Sequence, residues 1–166
     1  MTADEIKRLL GMTPHAEGGC YVRTYRSDEM IGAEALPSRY GGARRTGTVI
    51  YYLLEAGVFS EMHRLRSDET YHFYLGDPVE MLHLGPDGSG KRLLLGNDLN
   101  AGLRPQAVVP HGVWQGSRLV AGGRVALMGC TVSPGFEYED YERGSREELK
   151  KQYPQWTEMI EELTRE

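Results

Sequence analysis

The stretch GVFSEMHRLRSDETYHFYLG, residues 57–76, has a spacing of polar residues on which the prediction of the fold depends. Gly57 and Gly76 bracket it, and His63 and Glu69 lie between them, six residues apart. An imidazole and a carboxylate at this spacing are typical of a metal site, of a proton-transfer site, or of a buried polar pair that only supports the fold. The stretch by itself leaves these three interpretations open.

The composition is that of an ordinary globular domain. The chain has 166 residues, of which 40% are hydrophobic and 26% charged, enough for one domain with a hydrophobic core. Its formal net charge of −5 disfavours a nucleic-acid partner, which usually requires a basic face, but permits a local site for a small anion. The longest apolar run, 49–54, is far shorter than a membrane span, and the first residues lack a signal-peptide core. We therefore expect a cytoplasmic protein that has no membrane partner.

Short strands separated by turn residues account for most of the chain. Residues 30–45 are polar and unpatterned, and they predict a long loop. No helix separates the strands, so the pattern favours an antiparallel sandwich or barrel. Runs of β-branched and aromatic residues between Gly, Pro and Asp predict strands at 20–27, 48–54, 69–75, 78–84, 91–95, 107–110, 113–119 and 124–132.

Helices are predicted at both ends of this strand-rich region. Residues 2–5 and 145–148 each form a capping-box pattern, which marks the start of a helix, and Pro154 interrupts or restarts the second one. The apolar face of the second helix is expected to pack on the barrel or on a partner subunit; it comprises Trp156, Met159, Ile160 and Leu163. We predict one all-β domain over 1–166, with a helix at 1–11, a barrel at 18–142 and a helical tail at 145–166.

The opening stretch resembles the first cupin signature, G(x)5HxH(x)3E(x)6G, at every position but one. Leu65 stands where that signature has its second histidine. The segment VPHGVWQG, residues 109–116, resembles the second signature, and Gln115 stands where a histidine is usual. The chain is therefore similar to a cupin in which two of the four usual metal ligands are missing. The resemblance implies a double-stranded β-helix, the jelly-roll or cupin barrel.

A wider resemblance covers nearly the whole chain. The segments HAEGGCYVRTYRS (15–27), HRLRSDETYHFYLG (63–76), VPHGVWQ (109–115) and GCTVSPGF (129–136) are similar to one subfamily of uncharacterised single-domain cupins. Members of that subfamily are usually dimers without a settled activity, so the resemblance implies a homodimer and leaves the function open. The chain is more distantly similar to dTDP-4-keto-6-deoxyhexose (sugar-nucleotide) epimerases. Their catalytic histidine corresponds to His63.

The resemblance also implies a metal site with a reduced set of ligands. Leu65 has no lone pair to offer, and the amide oxygen of Gln115 is a weak ligand for a transition metal. His63, Glu69 and Gln115 would therefore hold a divalent transition metal more weakly than the full set does. No cofactor is certain from the sequence.

Strand alternation assigns directions to the side chains around Glu69 and in the first long strand. If Glu69 faces the barrel interior, His72 faces outwards and cannot replace a missing ligand. Arg23 has an odd residue number and Arg26 an even one, so strand alternation places them on opposite faces and only one should face inwards. An inward arginine needs an anionic partner, which would be Glu17, Glu69 or a ligand. By the same alternation, Tyr71, Phe73 and Leu75 face inwards, and Thr70 and Tyr74 face outwards with His72.

Two classes of function fit these residues. In the first, the chain is an isomerase or epimerase acting on a small sugar or keto acid, with His63 as the base and Glu69 tuning it or acting itself. Tyr52 or Tyr71 would be the acid, and a small polar or anionic ligand would be held by Glu17, Arg23, Arg26, Gln115 and His72. In the second, the protein binds a small ligand or is storage-like, without catalysis. A metal-dependent enzyme with the reduced ligand set is a further alternative.

Overall fold

Alternating inward and outward side chains form two facing antiparallel sheets in the computed structural model, which describes residues 1–165. The six-stranded sheet has the order β1-β2-β5-β12-β7-β10, with β1 at Thr13–Pro14, β2 at Cys20–Arg26, β5 at Thr48–Glu55, β7 at Asp68–Gly76, β10 at Gln106–Val109 and β12 at Val125–Ser133. The five-stranded sheet has the order β13-β6-β11-β8-β9, with β6 at Phe59–Arg64, β8 at Val79–Leu84, β9 at Gly90–Leu95, β11 at Trp114–Leu119 and β13 at Glu142–Arg143. A small ribbon pairs β3, Met30–Ile31, with β4, Arg44–Arg45. This arrangement confirms the predicted jelly-roll barrel.

The main hydrophobic core lies between the two sheets. It takes every second residue of the long strands, for example Tyr52 and Leu54 of β5 and Val79 and Met81 of β8. The residues between them face outwards and form two smaller cores beneath the helices. Because both faces of the central strands are buried, the site described below rests on a framework with little freedom to move.

Helices cover the outer face of each sheet. Helix α1, Ala3–Leu10, begins at the predicted capping box of Thr2 and Glu5 and buries Ile6 against the six-stranded sheet. Helices α2, Arg146–Gln152, and α3, Thr157–Glu162, cover the five-stranded sheet and are separated by a 3₁₀ turn that begins at Pro154. The predicted apolar face packs on the barrel as expected, where Met159, Ile160 and Leu163 meet residues of β6, β8 and β11.

Strand β6, which carries His63, is missing from the strands predicted from the sequence. Its sequence is FSEMHR, in which Ser60, Glu61 and His63 are buried although they are polar, so composition does not identify it as a strand. It also carries a β-bulge, because Ser60 pairs with Ser117 whereas His63 pairs with Gln115. The bulge adds one residue to β6 between the two pairs, and it leaves both Ser60 and His63 facing the barrel interior.

Two further bulges change the predicted directions. A register shift beside Tyr74 leaves Leu75 at 37% exposure, so the prediction that Leu75 faces inwards is wrong. A second register shift follows Arg23. Because of this shift, strand alternation no longer places Arg23 and Arg26 on opposite faces of the sheet.

The outward direction of His72 is confirmed. His72 pairs with Gly129 and Gln106 on neighbouring strands, and its Nε2 lies 3.2 Å from Oγ1 of Thr131 on the outer face of the sheet. Within residues 1–165, none of the helices is long and apolar enough to cross a membrane. The homodimer expected from the resemblance stays a prediction.

Candidate functional site

A cavity of about 130 Å³ opens between the two sheets at the end of the barrel where β6 and β7 present His63 and Glu69. The six-stranded sheet supplies most of its wall: Tyr21, Arg23, Thr48, Ile50, Glu69, Cys130 and Val132. The five-stranded sheet supplies His63, and the connecting loops supply His15, Glu17, Leu65, Phe136 and Tyr138. An engineered cavity of about 150 Å³ admits benzene, so the enclosed space suits a molecule of about six non-hydrogen atoms.

The imidazole of His63 is held in one orientation, and only 1% of the residue is exposed. Its Nδ1 lies 2.7 Å from the backbone carbonyl oxygen of Glu61, which can only accept a hydrogen bond, so Nδ1 carries a proton. The ring of Tyr141 stacks on the imidazole at 5.2 Å between centroids. The remaining nitrogen, Nε2, is therefore the one that exchanges protons in the neutral ring.

Glu17 is the carboxylate beside this nitrogen, with Oε2 3.3 Å from Nε2 of His63. The loop that carries Glu17 approaches the barrel backbone closely because Gly18 and Gly19, both with positive φ, follow Glu17. A Cβ at Gly18 would lie 2.1 Å from the carbonyl oxygen of Phe59, so only glycine permits this approach. The Glu17 carbonyl also accepts from the Glu61 amide at 2.9 Å, which fixes the loop on β6.

Burial sets the protonation of this pair. It lowers the pKa of His63 and raises the pKa of Glu17, since neither charged form is solvated by water. Both shifts favour the neutral forms, in which the carboxyl of Glu17 carries a proton and Nε2 of His63 does not. In this arrangement the carboxyl is an acid and Nε2 is a base. His15 is close to the same carboxylate, with its Nδ1 3.8 Å from Oε1 of Glu17.

Glu69 has a partner other than His63. A hydrogen bond between His63 and Glu69, one of the interpretations that the sequence left open, is not formed, because Oε2 of Glu69 accepts from Nε2 of Gln115 at 2.7 Å. Burial, and next the negative charge of Glu17, raise the pKa of Glu69 to about 7, although His63 opposes the shift. Two carboxyl groups whose pKa values are raised by burial thus face the same cavity.

The inner face of the five-stranded sheet carries unpaired polar atoms behind this pair. Among residues 1–165, six buried side-chain nitrogen or oxygen atoms lack a hydrogen-bond partner, and five of them belong to this face. They are the hydroxyls of Ser60 and Ser117, Oε1 of Gln115, and both ring nitrogens of His83. Burial lowers the pKa of His83 to about 4, so its ring is neutral near pH 7. Each such atom costs about 1–3 kcal/mol while it stays unpaired.

The two tyrosines predicted as acids do not line the cavity. Tyr52 donates to the carbonyl of Gly18 at 2.8 Å, and Tyr71 is 1% exposed within the main core. Burial raises the pKa of both phenols well above the ordinary value, which makes them weaker acids. Tyr21 and Tyr138 line the cavity instead.

The remaining predicted ligand-binding residues separate into two groups. Arg23 lines the cavity, whereas Arg26 lies in an ion pair at 3.4 Å with Glu137. His72 lies on the outer face of the sheet, away from the cavity.

Sequence reasoning also missed contributors to the site besides Tyr21. They are His15 and Tyr138, which line the cavity, and Tyr141, which stacks on His63. A histidine two residues before Glu17 in the segment HAEGG was the one available signal for His15. The two tyrosines lie in a connection whose path the sequence does not reveal.

The residues at the cupin ligand positions do not fit a tightly held metal. Leu65 lines the cavity without a lone pair, and Gln115 directs its NH₂ group, which cannot coordinate a cation, at Glu69. In the part of the chain that the structure describes, no three His, Cys, Asp or Glu side chains are grouped so that they could hold a metal ion. We therefore derive no chemical step through a metal.

Comparison with known proteins places the chain among uncharacterised relatives. The family described as Cupin_5, Cupin superfamily (DUF985), matches residues 4–143. The uncharacterized protein YML079W of Saccharomyces cerevisiae is 29% identical over 136 residues, which is 76% of this chain and 67% of that protein.

Solved structures agree with this placement. A hypothetical protein from Leishmania major is similar over 100% of both chains, with 31% identity and a TM-score of 0.90. Protein SO0799 from Shewanella oneidensis covers 99% of this chain and 98% of its own, with 38% identity and a TM-score of 0.87. Oxalate decarboxylase from Bacillus subtilis, at 13% identity and a TM-score of 0.53 over 90% of this chain and 36% of its own, shares the fold alone.

Proposed function

The chain belongs to the Cupin_5 family of the cupin superfamily, and on that premise we propose that it is an enzyme that moves a proton on a small carbonyl compound. The reaction class is isomerisation or epimerisation through an enol. The observation that carries the proposal is the buried pair of His63 Nε2 and Glu17 Oε2, 3.3 Å apart in the wall of the cavity.

The geometry of the pair suits enolisation. A carbonyl oxygen and the neighbouring carbon lie about 2.4 Å apart, as their bond lengths of about 1.23 and 1.52 Å require. A base and an acid at 3.3 Å can therefore reach the hydrogen on that carbon and the carbonyl oxygen at the same time. Both groups are preorganised, His63 by Glu61 and Glu17 by its two-glycine turn.

The step balances without any further reactant. His63 Nε2 takes a proton from the carbon next to the carbonyl, and the electron pair of the broken C–H bond forms the C=C bond of the enol. The carbonyl oxygen takes the proton of the Glu17 carboxyl. To form an isomer, protonated His63 gives its proton to the neighbouring carbon of an enediol, and the hydroxyl on the other carbon returns a proton to Glu17. To form an epimer, water gives a proton to the other face of the same carbon, His63 gives its proton to the hydroxide that is left, and the enol hydroxyl returns its proton to Glu17.

Deuterium exchange tests this proposal without knowledge of the product. Hydroxyaldehydes, hydroxyketones and 2-oxo acids of three to six carbons would be incubated with the protein in D₂O, and the loss of the α-proton signal followed by proton NMR. We expect exchange with at least one of these compounds. His63→Gln should abolish it, because general-base catalysis contributes about 10²–10⁴-fold.

The matched control is His72→Gln, on the outer face of the sheet, which should leave both exchange and fold unchanged. Exchange that survives His63→Gln would overturn the proposal. Binding of a compound without any exchange would instead support the alternative function, a protein that binds a small ligand and does not act on it.

A further inference from the structure

Arg23 is the one lysine or arginine in the wall of the cavity, among residues 1–165. It lies on β2 opposite Ile50, whose side chain packs against the core between the sheets. Directly opposite residues of an antiparallel pair point to the same face, so Arg23 is directed towards the cavity from the side of the six-stranded sheet. The residue is exposed, at the mouth rather than on the floor.

This guanidinium also has no carboxylate partner. In the described chain, no carboxylate lies within 4 Å of Arg23, and neither Glu17 nor Glu69 provides the anionic partner expected from the sequence. Six other arginines are each paired with a carboxylate, whereas Arg39 and Arg45 donate to the backbone carbonyls of Arg66 and Ser27. The six pairs are Arg26 with Glu137, Arg44 and Arg66 with Asp140, Arg64 with Glu142, and Arg143 and Arg165 with Glu61.

We propose that Arg23 binds the anionic group of the ligand, so that the cavity takes a small carbonyl compound that also carries a carboxylate or a phosphate. This inference rests on the proposed function and names its substrate class. A guanidinium donates two parallel hydrogen bonds to either anion, which orients the ligand as well as attracting it. The carbonyl end would then extend into the barrel towards His63 and Glu17.

The charges facing the cavity permit an anion there. Glu17 and Glu69 are the acidic side chains of the wall, and burial favours the protonated form of both. His15 and His63 are favoured in their neutral forms by the same burial. These shifts reduce the charge on all four groups, whereas the guanidinium of Arg23 stays charged, and an anionic ligand balances that charge.

Matched pairs of probes test the charge requirement. Binding of pyruvate would be compared with methyl pyruvate, and binding of glyceraldehyde 3-phosphate with glyceraldehyde, by calorimetric titration of the intact protein at low ionic strength. We expect at least one anion to bind about tenfold or more tightly than its neutral counterpart, the difference that a charge-assisted hydrogen bond supplies. The pair that shows the difference identifies carboxylate or phosphate as the recognised group.

Substitutions of Arg23 and Arg26, both on β2, test the role of Arg23 and provide its control. Arg23→Gln should remove the preference for the anion, and Arg23→Lys should restore it in part. Arg26→Gln, three residues along β2 and paired with Glu137, should keep the full preference. The proposal is overturned if neither anion binds more tightly than its neutral counterpart, or if the preference survives Arg23→Gln.

Failure of this inference and failure of the proposed function give different results. Deuterium exchange on anionic and neutral carbonyl compounds alike, unaffected by Arg23→Gln, would overturn the role of Arg23 and leave the proton-transfer function intact. Binding of the anion through Arg23 without exchange would support the role of Arg23 and remove the catalytic function.

Discussion

Oε2 of Glu17 lies 3.3 Å from Nε2 of His63, while Glu69, the carboxylate in the cupin ligand position, is hydrogen-bonded to Gln115. The two acids of the cavity therefore have distinct surroundings although both are buried. Only Glu17 is placed to share a proton with the imidazole. This difference allows their contributions to be separated by experiment.

Replacing Glu17 should reduce exchange more than replacing Glu69 does. Glu17→Gln removes the proton that the carbonyl oxygen would receive, so we expect a loss of about 10²-fold or more in the rate of deuterium exchange. Glu69→Gln keeps a hydrogen-bonding partner for Gln115, and its loss should be at least tenfold smaller. The reverse order of the two rates would show that Glu69 is the acid.

Stability should fall as the pH rises through the range in which Glu69 ionises. Its pKa is about 7 in the folded protein against an ordinary value of 4.5, so between these values the folded state holds a proton that the unfolded state releases. Glu69→Gln removes this dependence. Relative to the wild type, the variant should therefore gain up to about 3 kcal/mol in free energy of unfolding from pH 4.5 to pH 8.

Urea denaturation at several pH values measures this gain. Glu142→Gln, which alters an exposed carboxylate paired with Arg64, is the matched control and should follow the wild-type pH profile closely. An identical pH profile for the wild type and Glu69→Gln would contradict the assignment of Glu69 as a buried acid with a raised pKa.

Metal binding should depend on the two replaced cupin ligands. Protein purified without chelators should contain far less than one equivalent of a divalent transition metal, because Leu65 and Gln115 weaken the ligand set. Leu65→His combined with Gln115→His should raise the content towards one equivalent, as measured by elemental analysis. A stoichiometric metal in the wild type would overturn this prediction and favour the metal-dependent alternative.

The buried ion pair of Arg44 and Asp140 should be essential for stability. Nε and one terminal nitrogen of Arg44 each lie 2.7 Å from an oxygen of Asp140, and both side chains are at most 2% exposed. Arg44→Ala leaves a buried carboxylate unpaired, and we expect a loss of about 3–5 kcal/mol in free energy of unfolding.

Arg26→Ala, at an exposed pair on the same end of the barrel, provides the comparison and should cost about 1 kcal/mol or less. Asp140 immediately precedes Tyr141, so Arg44→Ala should also disturb the stacking on His63 and slow deuterium exchange. Equal losses of stability in Arg44→Ala and Arg26→Ala would show that the buried pair has no special role.

Much of the fold could be predicted because the strands obey local rules. The strands at 48–54 and 69–75 were recognised by their composition, and the capping box at Thr2 marked the first helix. Strand β6 is not predicted because it buries polar side chains and carries a bulge, so neither composition nor periodicity distinguishes it. Bulges elsewhere explain the error at Leu75, since one extra residue reverses every direction beyond it.

The candidate site could be predicted only in part, for a different reason. His63 and Glu69 lie in one continuous segment with a recognisable spacing, but the partner of His63 comes from a distant loop. The signal for that loop was present in Gly18 and Gly19, which allow the backbone to approach Phe59 and Leu53. Which side chain such a turn places beside the barrel depends on tertiary packing, which no local sequence pattern encodes.

The position of the cavity affects how a ligand would be found. Residues of both sheets line it, so a bound compound links the two halves of the barrel. Any ligand that binds only the folded state raises the melting temperature, and the rise grows with the ratio of ligand concentration to Kd. The midpoint of thermal unfolding is thus a direct reporter for screening metabolites against this barrel, before any reaction has been assigned to it.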